Sequence, residues 1–101
     1  MYLNEKEEKI IAPFYKKLDD IIGCTLLLEW DTGSAASIFD TTFDDEDEDE
    51  DAEEYEEFTS FLFRSISVTG KPPISVSGDN LFLVNYRNFP KSIKLNGKDI
   101  I

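Results

Sequence analysis

The chain has no histidine and one cysteine, Cys24, among 101 residues. Without histidine it lacks both the commonest zinc ligand and the commonest general base. A single cysteine excludes an internal disulfide. Cys24 falls in the apolar stretch Ile21-Ile22-Gly23-Cys24-Thr25-Leu26, where a buried structural thiol is expected. No apolar run approaches the roughly 20 residues that span a bilayer. The first residues, Met1 to Lys6, are mixed in charge and carry no signal-peptide apolar core. No glycine pattern precedes Gly70-Lys71 that would make a phosphate-cradling loop. The chain reads as cytoplasmic, with no cofactor and no metal.

Basic residues are also scarce, ten against 22 acids, for a net charge of −12. Twelve of those acids lie in the fourteen residues Asp44–Glu57, interrupted only by Ala52 and Tyr55. Outside this run ten acids face ten bases, so the body is neutral and the run carries the whole net charge. Such acidity argues against direct binding of nucleic acid or an anionic membrane. A block of like charge is either a self-repelling loop that keeps the chain in solution or a surface that steers a basic partner onto itself. Basic surfaces are commonly those that hold phosphates, and a strip of carboxylates can occupy one in their place.

The length fits one domain, and a hydrophobic content of 41% with eight Phe is ample for its core. Over residues 4–22, Ile10, Ile11, Phe14, Tyr15, Leu18, Ile21 and Ile22 recur at helical spacing. Asn4 with Glu7 fits a capping-box start. Pro13 either kinks this helix or begins a second one, and Gly23 ends it. Cys24–Trp30 and Ala35–Phe43 read as a hairpin turning at Asp31-Thr32-Gly33-Ser34, with Phe39 and Phe43 on one face and Ile38 on the other. Phe58–Thr69 is the longest strand-like segment. Ile74–Ser77 fits a short strand, and Leu81–Tyr86 is apolar enough to be central. Ile93–Leu95, an exposed-edge candidate, and Asp99–Ile101 flank the hairpin signal Asn96-Gly97. The expectation is an α+β fold: an N-terminal helix on an antiparallel sheet of five or six strands, with the acidic loop between strands 2 and 3. There is no internal repeat.

Three patterns bear on chemistry. Asp31-Thr32-Gly33, preceded by Leu26-Leu27-Leu28-Glu29-Trp30, resembles the signature of aspartic proteases. The resemblance implies that Asp31 shares a proton with its copy in a dimer. Ile21-Ile22-Gly23 has the form of the stretch that braces such a loop but precedes the aspartate, and the acidic run stands where a flap would follow. A hairpin turn is the plainer reading. Asp45, Asp47, Asp49 and Glu56 match the first, third, fifth and twelfth positions of an EF-hand count, but Glu50 stands where the turn needs Gly, so no dedicated cation site is expected. Of the aromatics near the run, Phe39, Phe43 and Phe58 belong in a core. Tyr55, inside it, suits a contact with a partner's Arg.

No catalytic constellation emerges, and the reading is a non-enzymatic binding protein. In size, charge and absence of catalytic groups it resembles the small acidic inhibitors of bacteria and phages: immunity proteins or antitoxins against nuclease toxins, and anti-restriction or anti-CRISPR proteins that mimic nucleic acid. The resemblance implies a tight complex in which the acidic surface covers a basic protein's nucleic-acid site. The contacts would be Asp44, Asp45, Glu46, Asp47, Glu48, Asp49, Glu50, Asp51, Glu53, Glu54, Tyr55, Glu56 and Glu57. An acidic chaperone of basic proteins is the looser alternative.

Overall fold

The structure, a computed structural model, describes residues 5–46 and 57–101. Two helices, α1 (Glu5–Tyr15) and α2 (Leu18–Ile21), precede six strands: β1 (Thr25–Trp30), β2 (Gly33–Glu46), β3 (Glu57–Gly70), β4 (Leu81–Val84), β5 (Ser92–Leu95) and β6 (Lys98–Asp99). The strands form one open antiparallel sheet in the order β4-β3-β2-β1-β5-β6. This is the expected α+β architecture, with the helices on one face.

The helical region is broken rather than continuous. Pro13 lies inside α1 and does not begin α2. The helix ends two residues later, where Lys17 N–H closes on the Phe14 carbonyl at 2.9 Å in a tightened last turn. Gly23, at φ +78°, terminates the region as expected. The buried stripe is narrower than the apolar spacing implied. Glu7, Ile11, Phe14, Leu18 and Ile21 recur at alternating steps of four and three and face the sheet, whereas Ile10 and Ile22 are exposed. A helix advances about 100° per residue, so the neighbour of a buried position falls off the contact line. Glu7 thus occupies a slot that the pattern would give to an apolar residue.

Phe14 is the hub of the core. Its ring lies 6.1 Å from Phe39, 5.1 Å from Phe61, 6.2 Å from Phe63 and 5.9 Å from Phe89, a range in which aromatic pairs add to plain burial. Leu26, Leu28, Phe82, Val84 and Ile93 complete the cluster. Trp30 closes one end, its indole N–H donating to the Asn88 carbonyl at 2.6 Å.

Several expectations need correction. The β2–β3 ladder shifts register between Phe39 and Thr41, so Asp40 is an extra residue. An extra residue inverts the alternation of everything beyond it. Phe39 therefore enters the core, while Phe43 leaves it and is 37% exposed on the opposite face. Ile74–Ser77 is not a strand: Pro72 and Pro73 supply no N–H, and the chain folds locally, Ile74 N–H to the Pro72 carbonyl. Leu81–Val84 is the edge strand rather than a central one. β5 is interior, between β1 and β6, and its Ile93 is fully buried. The Asn96-Gly97 hairpin forms as expected, with both residues at positive φ (54° and 80°). Cys24 is half-buried, its Sγ 3.8 Å from the Asp20 carbonyl, rather than enclosed.

Candidate functional site

β2 and β3 are the longest strands among the described residues, fourteen residues each, and they pair along their length. Their last pairs are Asp44↔Thr59, Asp45↔Phe58 and Glu46↔Glu57. The acidic run therefore begins and ends within the sheet: Asp44, Asp45 and Glu46 continue β2, and Glu57 opens β3. Asp47, Glu48, Asp49, Glu50, Asp51, Glu53, Glu54, Tyr55 and Glu56 lie outside the described residues, and so does most of the EF-hand count.

The hairpin end is fixed from both sides. On the helix side, the Glu7 carboxylate accepts the Thr59 backbone N–H at 2.8 Å. On the opposite face, Asp45 accepts the Ser60 hydroxyl through Oδ2 at 2.9 Å and the Glu46 N–H through Oδ1 at 2.9 Å. Asp44, Glu46 and Glu57 are exposed, and Asp45 is half-buried. Phe58 is buried, as expected of a core aromatic. It meets the Tyr86 ring at 6.4 Å, and the Arg87 guanidinium lies over Phe58 at 4.7 Å and over Tyr86 at 5.5 Å. An arginine of this chain thus takes the kind of stacked place that the sequence reading assigned to a partner's arginine at Tyr55. Nothing local marked Arg87 for that place, because it stands 29 positions along the chain from Phe58.

Beside this end, on the face away from the helices, lies an open groove of about 600 Å³. Phe43 and Leu62, Leu81 and Leu83 of β4, and Pro73, Ile74, Ser75 and Ser77 of the loop before β4 line it. Asn88 closes it. Its Nδ2 donates to the carbonyls of Pro73 (3.0 Å) and Leu83 (3.3 Å), and its Oδ1 accepts from Asn85 N–H at 2.8 Å. The groove escaped the sequence reading because it depends on the bulge at Asp40 and on β4 lying at the edge.

Asp31 and Thr32 are the two-residue turn between β1 and β2. The Asp31 side chain is 89% exposed and pairs with Lys91 at 3.1 Å. On β1, Glu29 accepts from Lys94 (3.0 Å) and from the Ser92 hydroxyl (2.9 Å). These bonds, Lys94 first, hold the Glu29 carboxyl below its ordinary range, and Glu29 in turn raises Lys94. Among the described residues no group of His, Cys, Asp and Glu is placed to hold a metal ion. No helix among them is long and apolar enough to cross a membrane. No known family model, curated protein or solved structure matches the chain.

Proposed function

We propose that this is a non-enzymatic binding protein that neutralises a basic, nucleic-acid-acting protein through its acidic hairpin end, in the manner of an immunity protein or antitoxin acting in the cytoplasm. One observation carries the reading: the segment holding the whole net charge is joined at both ends to the longest hairpin of a neutral body. Asp44, Asp45, Glu46 and Glu57, held on a braced ladder, meet a basic surface with less ordering entropy to lose than the same charges on a free chain. Side chains alternate faces along a strand, so carboxylates two residues apart, such as Asp44 and Glu46, recur on one face roughly every 7 Å. These carboxylates offer fixed negative charge to a surface whose Lys and Arg would otherwise hold phosphates.

The test is affinity capture from the source lysate with wild type and with a variant carrying Ser, Asn or Gln at the acidic positions of the run, washed at low and high salt and read by mass spectrometry. One dominant basic partner, retained by wild type in high salt and absent with the variant, supports the reading. Many basic proteins, all released by salt, would mean a loose acidic chaperone or a solubilising segment.

A further inference from the structure

The two strands that carry the acidic ends leave their neighbours before they reach them. β4 pairs with β3 over residues 61–64, and β1 pairs with β2 over residues 33–38. From Phe43↔Ser60 to Glu46↔Glu57 the ladder is two-stranded among the described residues. A two-stranded ribbon is marginal on its own in water, and Glu46 directly opposite Glu57 weakens it further. Its order comes from outside the ladder.

On the helix side Glu7 supplies a bond to Thr59. On the other face the support is Arg87. Phe58 stands directly opposite Asp45, and directly opposed side chains share a face. The Arg87 guanidinium lies 4.7 Å from the Phe58 ring and 5.5 Å from the Tyr86 ring. Its Nε donates to the Tyr86 hydroxyl at 3.3 Å. The turn behind it is well bonded. Arg87 N–H donates to Asn85 Oδ1 and Asn85 N–H to Asn88 Oδ1, each at 2.8 Å. Asn88 is tied in turn to the Pro73 and Leu83 carbonyls and, through its own carbonyl, to Trp30. The turn thus fixes Arg87 to the body of the fold and lays a planar cation on the β3 ring nearest the acidic end.

We infer that Arg87 is a positioning residue for the acidic hairpin end. Its stack on Phe58 and Tyr86 holds the last pairs of the ladder in register, so that Asp44, Glu46 and Glu57 are presented as a fixed set. The inference rests on the function proposed above and adds to it a residue that acts through the ladder. Its consequence runs against simple charge. Arg87 is a cation beside an anionic site, so charge alone predicts that removing it tightens the binding of a basic ligand. Positioning predicts the opposite.

The test uses the full chain, with hexalysine as the probe read by fluorescence anisotropy and hydrogen exchange at the Phe58 amide. Arg87→Gln should bind hexalysine about three- to fivefold more weakly than wild type, the range that one exposed cation–π stack supports. Its Phe58 amide should exchange faster by a similar factor. Arg64→Gln removes the same charge from an exposed position on β3 and should bind as wild type does, or tighter. Arg87→Lys keeps the charge without the planar stack, so it too should bind more weakly than wild type. Urea denaturation checks that each variant is folded under the assay conditions. Tighter or unchanged binding by Arg87→Gln, unchanged exchange at Phe58, or full retention of affinity by Arg87→Lys overturns the inference. Wild type that binds hexalysine no more tightly than the run-neutralised variant counts against the acidic reading instead, a comparison in which Arg87 is the same on both sides.

Discussion

The Glu7 carboxylate accepts the backbone N–H of Thr59 at 2.8 Å, and both residues are fully buried. This bond ties the first turns of α1 to the strand that receives the acidic run, across 52 positions of sequence. Its energetic weight lies in what its removal leaves behind, a backbone donor sealed from water.

Glu7→Ala should therefore destabilise the fold by about 2 kcal/mol, combining the orphaned Thr59 N–H with a small void. Glu7→Gln keeps an acceptor and should lose less than half as much. Urea denaturation gives both values, and hydrogen exchange at the Thr59 amide localises the effect. Equal losses for the two variants would mean that the charge, rather than the hydrogen bond, is what matters.

Neutralising residues 44–51 with Ser, Asn or Gln, with Asn at position 45 to keep an acceptor for Ser60, should leave the melting temperature unchanged or raise it at low salt. Glu46 and Glu57 are direct cross-strand partners, and like charges directly opposite destabilise a ladder. Added salt should raise the melting temperature of wild type more than that of the variant. A fall of many degrees on neutralisation would show that the run contributes favourable structure.

Ser37 is fully buried at the centre of β2, and its hydroxyl has no hydrogen-bond partner among the described residues. Ser37→Ala removes a polar group that folding strips of water without replacement, so it should be neutral or stabilising by up to about 1 kcal/mol. Chemical denaturation measures this directly. A loss larger than 1 kcal/mol would show that the hydroxyl does find a partner.

Gly33 and Gly78 make a matched pair. A Cβ at Gly33 would lie 2.4 Å from the Thr69 carbonyl oxygen and 2.8 Å from Lys71 N, whereas at Gly78 it meets nothing within 4 Å. Gly33→Ala forces strand backbones apart and should cost about 2 kcal/mol or more. Gly78→Ala should fall within about 0.5 kcal/mol of wild type. Thermal melts of the two variants side by side settle the comparison.

Glu29 and Lys94 set a pH dependence with two limbs. Because folding lowers the Glu29 carboxyl, its contribution is complete above the ordinary carboxylate range and is lost as pH falls through the lowered value. Because folding raises Lys94, its contribution is complete below the ordinary lysine range and is lost as pH rises through the raised value. Glu29→Gln should flatten part of the acid limb and leave stability near neutrality little changed, since both groups are solvent-accessible. Denaturation midpoints across the pH range test this, and an unchanged acid limb would rule it out.

Short-range chemistry determined much of this protein from the sequence alone. Asn96-Gly97 dictates its own hairpin, because both residues accept positive φ. Gly23 ends the helical region, and Leu26, Leu28 and Trp30 mark the buried face of β1 by simple alternation. The acidic run and the neutral body around it are plain in the sequence as well. Other features depended on partners distant in the chain. Whether Phe43 faces the core or the groove turns on one extra residue, Asp40, in a ladder with β3, and strand periodicity inverts at such a point. Glu7 occupies an apolar slot because the Thr59 N–H waits there. β4 is an edge because the chain after it returns to pair with β1 instead. Tertiary structure alone decided these three, because each rests on contacts between segments that local propensity does not connect, and together they place the groove beside the charge.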